Sequence, residues 1–154
     1  MRRFASLLPY IPMLAAVGWL ATRFRVVFGI FLIAHGVVHA LYVVPEPTQS
    51  SGRVDWPFHL DRSWALSNVG LAPGTVRAIG LLLMVATISG FAVAGIALLA
   101  DLRWWGGAAI AAAGTSTALL ALYIDPLLVL GLAINTFVLS VAEFGWPALR
   151  YAST

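Results

Sequence analysis

Cysteine and lysine are both absent from the 154 residues. Without cysteine the chain has no disulfide, no thiolate metal ligand, no iron–sulfur cluster and no cysteine nucleophile. A protein without thiols suits any redox compartment, so this absence says nothing of location. Without lysine, the basic residues are nine arginines, placed singly or in pairs, and they form no stripe that would follow a nucleic acid. Charge of either sign is scarce, at 10% of residues against roughly 25% in a soluble domain. With 61% hydrophobic residues and a mean hydropathy of +0.94, the chain reads as one membrane domain over residues 1–154.

Four runs with little or no charge carry this reading: Val26–Val44, Ala78–Ala100, Trp104–Ile124 and Pro126–Ala142. Each is about as long as a helix needs to be to cross a hydrocarbon core of ~30 Å at ~1.5 Å per residue. The expected fold is all-α, a polytopic transmembrane four-helix bundle. The breaks at Asp101-Leu102-Arg103 and Asp125-Pro126 are short, so the last three helices should be antiparallel neighbours. Asp125 before Pro126 has the pattern of an N-cap followed by an N1 proline. Residues 1–25 are open to three readings. The stretch from about Met13 extends the first helix or lies in the interface, or Phe4–Thr22 forms a fifth span.

Arginine placement weighs the alternatives. Four spans with the N-terminus inside put Arg2, Arg3, Arg23, Arg25, Arg103 and Arg150 in the cytoplasm and Arg53, Arg62 and Arg77 outside. Five spans would divide the same arginines almost evenly. The positive-inside rule therefore favours four spans in the inner (plasma) membrane with both termini cytoplasmic. Tyr42 and Tyr123 then fall at the outer ends and Trp104, Trp105 and Trp146 at the inner ends, as in an aromatic belt. The outer loop, residues 45–77, begins with a linker-like Pro45–Gly52. It continues into Trp56–Leu66, where helical spacing would put Leu60 and Trp64 on one face of a short amphipathic piece. A plain surface loop with aromatic anchors is the alternative.

Small residues repeat every fourth position at Ala86, Gly90 and Ala94 and again at Gly107, Ala111 and Thr115. That spacing lets helices approach closely in lipid, so Gly90 and Gly107 are expected at helix contacts.

Chemistry is suggested only at membrane depth. His35 and His39 are four apart on one helix face, and Tyr42 continues that face. Counted from Val26, His35 lies ~14 Å in and His39 ~20 Å in. Asn135 lies ~14 Å from the opposite end of the fourth run, and Thr115, Ser116 and Thr117 ~16–20 Å along the third. Thr87 and Ser89 fall near the same level. One polar layer near the midplane is the result, and facing histidine to lipid would be costly. Glu143 stands apart near the inner interface, where it would reach headgroup water or pair with Arg23, Arg25 or Arg150.

The histidine pair lacks the third ligand of a zinc site, and the intervening residues are Gly36-Val37-Val38 rather than the glutamate pattern of a metalloprotease. His59 would join only if the outer loop folded inward. Haem is disfavoured because no second transmembrane segment offers a histidine. A neutral histidine with Tyr42, Thr115 and Asn135 suits better the carbonyl of an apolar molecule such as a quinone or isoprenoid. The same groups would equally serve as mutual hydrogen bonds that pin the helices.

The cluster Ala34-His35-Gly36-Val37-Val38-His39, the long loop after it and the three tightly connected helices resemble small bacterial membrane proteins of the DoxX-like kind. The resemblance covers roughly residues 24–146. It implies a redox or quinone connection and assigns no role to any residue. Three functions stay open: a membrane protein that binds an apolar carbonyl compound or serves a redox system, an accessory subunit of a larger membrane complex, and an enzyme using histidine as general acid or base.

Overall fold

The structure is a computed structural model that describes residues 11–44 and 57–144. Among these residues all regular structure is helical. The first helix, α1 (Ile11–Val38), runs without a break and tightens into a 3₁₀ turn over His39–Val43. The segment from Met13 therefore extends the first helix. Pro12 stands in its first turn, where its missing N–H is no loss. A five-residue helix, α2 (Trp64–Asn68), follows, then α3 (Pro73–Leu99), α4 (Trp105–Leu122) and, after a 3₁₀ turn at Pro126–Leu128, α5 (Val129–Phe144). The linker reading of Pro45–Gly52 and the inner placement of Trp146 lie outside the described residues.

Three segments are long and apolar enough to cross a membrane: Gly18–Val43, Pro73–Leu99 and Trp105–Leu122. The fourth apolar helix, α5, has 16 residues. Large apolar side chains such as Val27, Leu82 and Leu130 point outward. In water such a surface would be a liability, whereas in a bilayer it meets its own kind. These features fit an integral membrane protein. The second long helix begins at Pro73 rather than Ala78, because Pro73 sets the helical φ at its first position and places Arg77 inside it.

Packing follows chain order: α1 lies on α3, α3 on α4, and α4 on α5. Glycines set the closest approaches. A Cβ on Gly95 would lie 2.6 Å from the Gly29 carbonyl oxygen, and one on Gly90 would lie 2.9 Å from Ala112 Cβ. Gly107 corrects the sequence reading, since nothing lies within 4 Å of its position. Ala86 and Ala111 are likewise exposed. The buried stripe of α4 is Ala109, Ala112, Ala113 and Ser116.

The α3–α4 turn is a Schellman closure. Leu102 N–H bonds the Ala97 carbonyl (2.8 Å), Asp101 N–H bonds that of Leu98 (3.1 Å), and Asp101 takes φ 59°. Its carboxylate pairs with the Arg25 guanidinium of α1, which holds the acid below the ordinary carboxylate range. The pairing of Glu143 with Arg25 is thereby corrected. Glu143 is exposed at a shallow groove with Ile110, Thr136 and Ser140.

The opposite end is closed by the described part of the loop, residues 57–72. The last carbonyls of α4 lack partners within their helix. Ser63 Oγ–H donates to the Leu122 carbonyl (2.6 Å) and Trp64 Nε1–H to that of Ala121 (2.7 Å). Ser63 also accepts from Leu66 N–H (3.2 Å) as the N-cap of α2. Because α2 starts at Trp64, Leu60 precedes it and shares no helical face with Trp64. Leu60 is buried against Gly80, where an added Cβ would lie 2.7 Å from Leu60 Cδ2, and Trp64 is exposed. The two tyrosines are not belt residues either, since both are buried. Tyr123 OH donates to the Val76 carbonyl, and Tyr42 packs edge-on against Phe58 with centroids 5.2 Å apart.

Candidate functional site

Two apolar clusters divide the interior. Toward the Arg25 end are Phe28, Leu32, Phe91, Leu98 and Ala112 with their neighbours. Toward the loop-capped end are Tyr42, Leu60, Met84, Leu119 and Tyr123 with theirs. Between them sit buried polar side chains from every long helix: His35 and His39 of α1 and its 3₁₀ end, Thr87 of α3, Ser116 of α4 and Asn135 of α5.

Donor and acceptor chemistry orders these groups. His39 Nδ1 lies 3.1 Å from the His35 backbone carbonyl, one turn back. A carbonyl only accepts, so Nδ1 carries the hydrogen. Nε2 of the neutral ring is then an acceptor, and Ser116 Oγ–H donates to it (2.8 Å). With its hydrogen committed, Ser116 Oγ accepts from Asn135 Nδ2 (2.8 Å), whose other hydrogen goes to Thr117 Oγ1 (3.2 Å). Asn135 Oδ1 then accepts from His35 Nε2–H (3.0 Å). The opposite amide orientation would set two oxygens against each other at Ser116. The bonds thus run one way, from His35 through Asn135 and Ser116 to His39 and back to the His35 carbonyl. The two imidazoles are held as opposite tautomers.

Phe91 walls the pair, its ring centroid 4.9 Å from that of His35 and 6.4 Å from that of His39. Phe31 stacks on His35 at 6.0 Å. Aromatic rings cover the pair on this side.

Of the residues that the sequence brings forward, His35, His39 and Asn135 share one hydrogen-bonded group. Thr115 does not belong to it, because its hydroxyl donates to the Ala111 carbonyl of its own helix (2.9 Å). One position along, Ser116 faces inward and makes the central contact. Only the inward direction of α4 would have singled it out, and the sequence of that helix does not reveal it. Tyr42 lies one turn beyond His39, 5% exposed, and its hydroxyl has no partner among the described residues. Thr87, fully buried, is the other hydroxyl in that condition. Among the described residues no group of three or more His, Cys, Asp or Glu residues comes together as a metal site would need.

Comparison with protein-family models, with curated proteins and with solved structures finds no match to this chain.

Proposed function

We propose that the chain is a four-span protein of the inner (plasma) membrane, with both termini cytoplasmic, that binds an apolar carbonyl compound of the quinone or isoprenoid class beside its midplane polar layer. The observation that carries the binding reading is the buried, unpaired hydroxyl of Tyr42, one turn beyond His39 and its hydrogen-bonded partners. A buried polar group without a partner is expensive, and in native proteins it asks for an occupant. The fourth span is supported by Asn135. Its amide meets His35 and Ser116, which belong to two spans, so α5 lies at their depth. The DoxX-like resemblance leans the same way, toward a quinone-linked membrane system.

One observation favours a second reading, a structural or accessory subunit. The bonds from His35 round to His39 close on themselves and need no ligand.

Lipid extraction and the absorption spectrum of the detergent-purified protein decide between them. The binding reading expects a carbonyl compound in the extract at a fixed ratio to protein, or saturable uptake of added decyl-benzoquinone. An empty extract together with no saturable uptake leaves the accessory role.

A further inference from the structure

We propose that the carbonyl oxygen of the ligand is taken by the hydroxyls of Tyr42 and Thr87, on the loop-capped side of the polar layer, and not by the imidazoles. This rests on the binding reading above and goes further, since it moves the donors from the histidines to a residue, Thr87, with no other assigned role.

The first argument is a count of hydrogens. A carbonyl oxygen needs a donor. Each neutral imidazole has one N–H. That of His39 is held by the His35 carbonyl and that of His35 by Asn135 Oδ1. The Ser116 hydrogen goes to His39, and both Asn135 amide hydrogens are used. Among the described residues, the buried hydrogens left over are those of Tyr42 and Thr87.

Thr87 adds an independent argument. A helical Ser or Thr ordinarily bonds the carbonyl one turn back. Thr22, Thr115, Thr136 and Ser140 all do so here, each at 2.9 Å. Thr87 does not bond its own helix, although it is the most deeply buried of these hydroxyls and would gain most from doing so.

Register places the two together. A Cβ on Gly36 would touch Phe91 Cβ (2.8 Å) and the Ile88 carbonyl (3.3 Å), so these residues are level. On antiparallel helices, moving three residues from Gly36 to His39 and four from Phe91 to Thr87 covers ~4.5 and ~6 Å, which sets Thr87 level with His39. Tyr42 stands one turn further out. Side chains lean toward the N-terminus of their own helix. On opposed helices Tyr42 and Thr87 therefore lean toward each other. The ligand is a lipid-soluble molecule whose acceptor oxygen sits between them, with Phe58 covering the Tyr42 ring on the loop side.

The test uses the full-length protein in detergent with two probes, decyl-benzoquinone and 2-undecanone. Tryptophan quenching reads affinity, and infrared difference spectra read the carbonyl stretch of the bound probe. Tyr42→Phe and Thr87→Val keep size and remove only a hydroxyl, so both variants fold. The expected result is a lowered carbonyl stretch in the wild type that returns toward the free value in each variant. Affinity then falls about fivefold to tenfold per hydroxyl, and Glu143→Gln changes neither signal. Binding that is unaltered in Tyr42→Phe and Thr87→Val, with the stretch moving in His35→Gln instead, overturns this assignment and leaves the binding reading standing. No saturable binding of either probe to the wild type overturns both.

Discussion

Gly90 and Gly107 have the same side chain and opposite surroundings. At Gly90 an added Cβ would meet Ala112 at 2.9 Å, with backbone behind it at 3.3 Å, so α3 and α4 would have to separate. At Gly107 it would point into open space. Gly90→Leu should cost about 1–3 kcal/mol through overpacking. Gly107→Leu should be neutral or gain up to about 1 kcal/mol, because glycine is a poor helix former. Thermal denaturation of both variants in one detergent gives the comparison, and equal losses would mean that α4 turns its other face inward. The same residue-by-residue view explains what could be read at the site. Rise per residue alone put Asn135 level with His35, and their side chains meet at 3.0 Å. It could not choose between Thr115 and Ser116, which differ by 1.5 Å in height but by about 100° in direction.

At the scale of elements, the direction of each helix was the missing quantity. A half-exposed helix in a soluble protein announces its buried face by an apolar stripe. Here α4 is apolar all round, with small residues on both sides, so Gly107-Ala111-Thr115 and Ala109-Ala112-Ser116 are equally good stripes in the sequence. Length and charge made the helices legible because those signals survive in lipid, and amphipathicity does not. The outer loop was legible only as aromatic and polar, since the bonds that hold it go to backbone carbonyls at the end of α4, which no side-chain pattern reveals. Ser63 donates one such bond, to the Leu122 carbonyl, and also accepts from Leu66 N–H as the cap of α2. Ser63→Ala should therefore lower stability by about 1–2 kcal/mol. Ser67→Ala, exposed on α2, serves as the control and should leave stability unchanged within about 0.5 kcal/mol. A loss no larger in Ser63→Ala than in the control would show that the loop is held by its apolar contacts alone.

For the whole molecule, the two ends are chemically distinct. One end has Arg23, Arg25, Asp101 and Arg103, with Arg25 and Asp101 tying α1 to the α3–α4 turn. The other is closed by the loop, Tyr42 and Tyr123. Because α1 is continuous from Ile11 to Val38, no turn separates an N-terminal span from the first histidine helix. The proposed topology, with the arginine-rich end in the cytoplasm, requires the loop to face outward and both termini to lie inside. The absence of cysteine makes this directly measurable, since a single introduced thiol is the only one present. Ser51→Cys, in the outer loop, should react with a membrane-impermeant maleimide on intact cells. Ser153→Cys, near the C-terminus, should react only after the membrane is opened. Labelling of both from the same side would require an even number of crossings between them, which α3, α4 and α5 as three spans cannot give. That outcome would remove α5 from the set of spans. Asn135 would then no longer be a midplane group, and the polar layer would have to be read as one face of a three-span protein with α5 folded back against it.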